Sequence, residues 1–282
     1  MKIDLHSHTN YSDGALRPEE LVMRAQQMQL DVLAITDHDT LGGLQEARDY
    51  AKVNVPKLNI ISGVEISTSW HGFEIHVLGL NVDEHCPKLL SALETQQAKR
   101  EQRSIQILEK LQKAGVDINI EDVRRLTTGV VSRGHFAQVL VRKGVCSHPQ
   151  QAFTQYLGKG KKAYVSPGWT DIQSAVSWIK DAKGQAVLAH PYHYDMTTKW
   201  LRRLLLEFKA AGGEGLEVQH PNLAKAKHDL MVSLANEYAL LGSAGSDFHA
   251  PSRWTELGKR LHLPDTIKPV WHNWDMLHAD AK

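Results

Sequence analysis

Short apolar runs alternate with amphipathic helical segments along this chain, and one run after another ends on a histidine or a carboxylate. Residues 2–5 alternate, with Ile3 and Leu5 on one face and Asp4, His6 and His8 on the other, because successive side chains of a strand point to opposite faces. Pro18, Glu19 and Glu20 make a good helix start, continued by Leu21, Val22, Ala25 and Met28. The run 32–35 ends at Asp37-His38-Asp39, 58–61 leads to Gly63-Val64-Glu65, and 75–82 carries His76. Further on, 186–189 ends at His190-Pro191, 215–218 is another short run, and 240–244 leads to Asp247-Phe248-His249. Strands alternating with helices predict parallel βαβ units, and so an α/β fold. Polar residues at the ends of several strands predict a barrel, which gathers its active site there. An open doubly wound sheet would place its ligand residues at one switch point instead.

Residues 88–164 break this rhythm. Helices are expected around 88–114, 132–143 and 149–157 with no convincing strand between them, and Ser132 suits an N-cap. The sequence therefore predicts a barrel in residues 1–87 and 165–282, with 88–164 a helical insertion over its mouth. Charge follows the same division. The formal net charge is +1, yet residues 99–162 hold 13 Lys+Arg and 5 Asp+Glu, a local +8, which leaves −7 elsewhere. Such a block suits an anionic partner, phosphate or nucleic acid; the alternative is a solvated helical face. No run approaches the roughly 18 apolar residues of a membrane span, and the first residues lack a signal-peptide core. Cys86 and Cys146 have no metal-ligand spacing, so neither a thiolate site nor a disulfide framework is expected. The expectation is a cytoplasmic enzyme without membrane contact, and nothing calls for an obligate protein partner.

His6-Ser7-His8 places two imidazoles on the same side of an extended segment, in reach of one metal ion, and Asp247-Phe248-His249 repeats that spacing. With Asp13, His38, Glu65, His76 and His190, nine potential ligands sit late in or just past predicted strands. Converging without metal, they would be buried polar groups costing several kcal/mol unless paired. A multinuclear metal site is the simpler reading. Imidazole and carboxylate ligands without thiolate suit Zn²⁺, Mn²⁺ or Fe²⁺.

His6-x-His8, Ser12-Asp13-Gly14, Thr36-Asp37-His38-Asp39, Gly63-Val64-Glu65, His76, Ala189-His190-Pro191 and Ser246-Asp247-Phe248-His249 together resemble the polymerase-and-histidinol-phosphatase (PHP) family. The resemblance implies a distorted (β/α)7 barrel holding three divalent metals, with Mn²⁺ favoured. Position by position, it gives one metal to His6, His8, Glu65 and Asp247, and a second to Glu65, His76 and His190. The third falls to Asp13, His38 and His249. Asp247, Glu65 and His8 are the expected catalytic residues, and Asp37 would orient an imidazole or a bound water from behind.

Within the insertion, Arg133-Gly134-His135-Phe136-Ala137 and Gly158-Lys159-Gly160-Lys161-Lys162-Ala163-Tyr164-Val165 set basic side chains among glycines, where backbone N–H groups also approach a phosphate. The second segment lacks P-loop spacing. Both are similar to the subgroup of that family comprising 3′,5′-nucleotide bisphosphatases and 5′-to-3′ exoribonucleases. That likeness implies a nucleotide or a short 5′-phosphorylated RNA as substrate, with contacts from Arg133, His135, Lys159, Lys161 and His193. The chain departs from the subgroup at Pro191-Tyr192-His193-Tyr194, where Gly-Arg often follows the proline. His193 would then hold a phosphate less strongly or in a pH-dependent way, and Tyr192 either stacks on a base or simply packs its loop. His71, His85, His148, His228, His262, His272 and His278 match no ligand position and are expected at the surface or in structural roles, whereas His220 could face the site. The competing functions are a small-metabolite phosphomonoesterase and a noncatalytic nucleic-acid-binding module.

Overall fold

Where alternation in the sequence predicts one βαβ unit after another, the third and fourth strands form a hairpin instead. The computed structural model describes residues 1–252 and 255–274, so His278 lies outside the described residues. Its strands are β1 (Ile3–Asp4), β2 (Val32–Ile35), β3 (Asn59–Trp70), β4 (Phe73–Leu80), β5 (Gln185–Leu188), β6 (Gly215–Gln219) and β7 (Leu241–Ala244). They form one sheet in chain order. β4 is antiparallel to both β3 and β5, and the other neighbours are parallel. The reversal is made by His71 and Gly72, whose φ angles of 45° and 79° give the two positive central residues of the tightest hairpin turn. Because β4 runs backwards, its fourth residue, His76, lies at the same end of the barrel as residues past the ends of the parallel strands. The register pairs His76 with Ser67.

The barrel closes through the backbone. Leu5 N donates to Ala244 O at 3.1 Å, His8 N donates to Phe248 O at 2.9 Å, and Ser7 bridges Phe248 in parallel. Its interior is filled by Ile3, Leu5, Val32, Ala34, Ile61, Leu78, Val187 and Ala189. Outside lie α1 (Pro18–Gln27) and α2 (Leu44–Asn54) on one flank, and α7 (Ile172–Asp181), α8 (Thr198–Ala210) and α9 (Lys225–Glu237) on the other. Each buries an apolar stripe, as Leu201, Leu204, Leu205 and Phe208 of α8 do at helical spacing.

Between β4 and α7 come α3 (Pro87–Lys113), α4 (Ile120–Arg124), α5 (Arg133–Arg142) and α6 (Pro149–Ala152), the last running into a π turn (Phe153–Leu157). They have a hydrophobic cluster of their own, built from Ile107, Leu111, Val123, Phe136, Leu140, Leu157 and their neighbours. The 27-residue α3 serves both bodies: Leu89 and Leu93 pack with the barrel, Ile107 and Leu111 with the insertion. α4 escapes the sequence reading because only five residues form it, held by reciprocal capping of Asn119 and Asp122. The barrel is expected to resume at residue 165, but no strand forms there among the described residues. Contact with the sheet resumes at Thr170, which bridges Thr68, and regular structure resumes in α7. No described helix is long and apolar enough to cross a membrane.

Candidate metal centre

Glu65 organises the barrel mouth. Fully buried midway along β3, its two oxygens face different histidines. Oε2 lies 3.3 Å from His6 Nε2, 3.3 Å from His8 Nε2 and 3.0 Å from His38 Nδ1. Oε1 lies 2.8 Å from His76 Nδ1 and 2.9 Å from His190 Nε2. Asp247 Oδ1 approaches His6 and His8 at 3.3 and 3.1 Å. On the third side, Asp13 Oδ1 is 3.1 Å from His249 Nε2 and 3.6 Å from His38 Nε2. All nine side chains singled out from the sequence therefore meet in one cluster.

Three sets of donor atoms lie within 4.8 Å of one another: His6, His8, Glu65 and Asp247; His8, Asp13, His38 and His249; and His38, Glu65 and His76. His8, His38 and Glu65 each take part in two sets, and His190 joins through its contact with Glu65 Oε1 rather than as a member of one. The donor set fits divalent cations. His6 Nε2, Asp13 Oδ1, His38 Nδ1, Glu65 Oε2 and His190 Nδ1 are buried and, despite the close approaches among them, meet no described group in hydrogen-bond geometry, a costly state that bound metal would relieve. Burial alone would raise the Glu65 carboxyl, but the imidazoles of His38, His76 and His6 outweigh it and hold the group well below the usual carboxylate range. Asp13 and Asp247 are held down likewise, against burial, by His38 and His249 and by His6 and His249.

Behind the cluster stand groups that fix its orientation. Asp37 accepts from Thr9 N at 2.7 Å, Thr9 Oγ1 at 2.6 Å and Ser12 Oγ at 2.5 Å, and Ser12 Oγ lies 3.4 Å from His8 Nδ1. Glu217, fully buried midway along β6, was not singled out from the sequence. Its Oε1 accepts from His6 Nδ1 at 3.1 Å and its Oε2 from His190 N at 2.6 Å, the carboxylate–histidine arrangement that fixes a ligating imidazole. The available signal was a glutamate at an inward position of an otherwise apolar strand. Gly245 must be glycine: an added Cβ would lie 2.3 Å from His6 Cβ and 2.4 Å from Glu217 Oε1. His190, Asp247 and Asp39 adopt left-handed backbone, with φ of 29°, 51° and 51°, the kind of strain that folds retain at functional sites.

A cavity of about 290 Å³ opens beside the cluster. Asp13, His38, His76 and His249 line it together with Arg100, Arg103 and Arg133. Arg100 Nε donates to Asp39 at 2.7 Å, while Arg103 and Arg133 share Glu74 at 3.1 and 2.6 Å. The guanidiniums of Arg100 and Arg103 lie 4.9 and 5.2 Å from the Trp169 ring centroid. Burial, opposed by Glu74, pulls the Arg103 guanidinium down to about 10, still protonated at neutral pH. The sequence reading missed Arg100 and Arg103, although Gln96, Arg100 and Arg103 interrupt the buried stripe of α3 at helical spacing.

Other residues singled out from the sequence lie elsewhere. Arg133 lines the cavity, but His135 is buried and its Nδ1 accepts from Ser132 N at 3.0 Å, so it caps α5 instead of facing a ligand. Lys159 Nζ donates to Gly72 O at 3.1 Å on the β3–β4 turn, and Lys161 is exposed nearby in sequence. His193 is exposed and does not line the cavity, but it adjoins the cluster, its ring 6.1 Å from that of His190 and 4.7 and 5.5 Å from those of Tyr192 and His220. Tyr192 is buried in the barrel's outer core and Tyr194 Oη bridges His76 N and Ala189 O, so both pack. Much of the basic block is paired at the surface, as Arg124 with Glu101 and Lys143 with Asp122 are.

The chain is similar to a 5′-3′ exoribonuclease of Haemophilus influenzae, 45% identical over 97% of this chain and 99% of that protein. It is 39% identical to a 3′,5′-nucleoside bisphosphate phosphatase of Chromobacterium violaceum, over 95% of each. Among solved structures, a sulfate-bound amidohydrolase from C. violaceum superposes with a TM-score of 0.92 at 37% identity, covering 98% of this chain and 96% of that one. The model of the PHP domain matches residues 4–219. With most of its length matched and relatives this close end to end, the chain belongs to the PHP domain family.

Proposed function

We propose that this chain is a metal-dependent phosphoesterase that removes the 3′-side phosphate of 5′-phosphorylated nucleotides. On a nucleoside 3′,5′-bisphosphate it releases inorganic phosphate. On 5′-phosphorylated RNA it works as a 5′-to-3′ exoribonuclease releasing 5′-mononucleotides. The observation that carries this reading is a cavity lined both by candidate metal ligands and by three arginines. One anion at the candidate ligands and a second at the arginines of the same cavity match two phosphates on one ribose. The activities named for the H. influenzae and C. violaceum relatives support the same substrate class.

In this reading one metal takes His6, His8, Glu65 and Asp247, a second takes Glu65, His76 and His190, and a third takes Asp13, His38 and His249. Mn²⁺ is the metal proposed. Divalent ions supply stabilisation of the phosphoryl oxygens and a water acidic enough to react near neutral pH. Glu65 divides its oxygens between ligand sets, while Glu217 and the Asp37–Ser12 pair keep His6 and His8 aimed inward. Arg133 and Arg103 hold the 5′-phosphate, with their forks pre-set by Glu74. His135 supports this pair indirectly, by closing the first turn of the helix that begins at Arg133. The residues of the insertion, 88–164, thus act as a substrate cap over the barrel's metal site.

The test is Arg133→Ala, assayed with RNA bearing a 5′-phosphate and with the same RNA bearing a 5′-hydroxyl. Selective loss on the phosphorylated substrate supports the anchor. Equal loss on both removes Arg133 from that role.

A further inference from the structure

We infer that the β3–β4 hairpin tip and the first turns of α8 form a second binding surface for RNA, which holds the nucleotides 3′ of the scissile phosphate. This rests on the exoribonuclease reading above and deepens it. Trp200 is among the few exposed large hydrophobic residues, with 36% of its surface accessible. Its ring meets Trp70 edge-on at 5.5 Å and Phe73 at 6.0 Å, so the indole is propped up by the hairpin and cannot fold away. Arg203, one helical turn on, sets its guanidinium 5.3 Å from the Trp200 ring centroid and 6.0 Å from that of Trp70. Nη2 of Arg203 lies 3.0 Å from His71 Nε2, and the exposed Glu207 holds Arg203 from below at 3.0 Å. From the insertion side, Lys159 crosses to the turn and bonds to Gly72 O.

An exposed indole, a guanidinium over it and a lysine alongside are the elements with which proteins hold single strands without reading sequence. The surface also lies at the right distance. Phe73 is three residues before His76 on β4, so the tip stands about 10 Å beyond the metal cluster at the usual rise of a strand. The cavity arginines take the 5′ end, so the chain leaving the metals in the 3′ direction needs support elsewhere. The proposed site function has no use for Trp200 or Arg203, and mononucleotide substrates would never reach them.

The test compares wild type, Trp200→Ala, Trp200→Phe and Arg203→Glu on three substrates: a nucleoside 3′,5′-bisphosphate, a 5′-phosphorylated dinucleotide and a 5′-phosphorylated decamer. For wild type, kcat/KM is expected to rise from the dinucleotide to the decamer. Trp200→Ala should lose about fivefold on the decamer through KM, the lower end of what one base–aromatic stack supplies. It should leave the bisphosphate unchanged, and Trp200→Phe should restore the gain. Equal losses on all three substrates would mean that Trp200 only props the hairpin, and an undiminished length effect in Trp200→Ala and Arg203→Glu would overturn the surface outright. Fluorescence anisotropy with a labelled decamer separates this inference from the function it rests on. A wild type that turns over none of the substrates refutes the exoribonuclease reading, while weaker decamer binding by Trp200→Ala would still uphold the surface and unchanged binding would reject it.

Discussion

Glu217→Gln isolates the residue that the sequence reading passed over. The carboxylate accepts two hydrogen bonds, from His6 Nδ1 at 3.1 Å and from His190 N at 2.6 Å. A glutamine of the same shape has one oxygen and one NH₂ group. Whichever way the amide is turned, its nitrogen faces a donor, so one bond is lost and the charge that supports the other is gone. A hydrogen bond to a charged group contributes about 1.5–3 kcal/mol. At about 1.4 kcal/mol per tenfold, the variant should bind metal about 10- to 100-fold more weakly, in line with other groups that orient ligating histidines. Metal titration by isothermal calorimetry reads the affinity, and circular dichroism checks that the barrel remains folded. A folded Glu217→Gln protein that binds metal as tightly as wild type would refute the reasoning, because His6 would then need no orienting carboxylate.

Four further outcomes are expected. Asp247→Asn and His8→Ala should abolish turnover while leaving the circular dichroism spectrum of the barrel intact. Arg133→Ala should lower kcat/KM by about 10- to 100-fold on a 5′-phosphorylated RNA, the range of a charge-assisted contact, and change the 5′-hydroxyl RNA little in steady-state assays. Gly245→Ala puts a methyl group into His6 and Glu217, so elemental analysis should find less bound metal and the melting temperature should fall with an overpacking cost of about 1–3 kcal/mol. Chelation should lower the melting temperature by about 5–10 °C relative to protein in a hundredfold excess of metal over its dissociation constant, and adding Mn²⁺ back should restore it in a thermal shift assay.

Ligand residues were legible in the sequence because each follows or interrupts a short apolar run, and period-two geometry ties His6 to His8 and Asp247 to His249. The hairpin was not legible as such. His71-Gly72 is a weaker turn signal than Asn-Gly, and β4 read alone looks like any buried strand. His76 still reached the site, since reversing a strand moves the residue at its start to the mouth of the barrel. Net charge marks residues 99–162 as a block without singling out side chains: Lys159 and Lys161 stand out in a glycine-rich turn, whereas Arg100 and Arg103, which line the cavity, are hidden in the middle of a long helix. His135 shows the converse. A histidine beside an arginine and a glycine looks like a ligand group, yet its position three residues after Ser132 makes it the partner in a helix cap.

The most direct measurement of the central claim takes the purified protein with Mn²⁺ and three substrates: a nucleoside 3′,5′-bisphosphate, a short 5′-phosphorylated RNA and the same RNA with a 5′-hydroxyl. A cavity shared by the candidate ligands and the arginines predicts release of 5′-mononucleotide from the first two, with the third far slower. No turnover of any of them by metal-loaded protein would contradict it and point to a small-metabolite phosphomonoesterase.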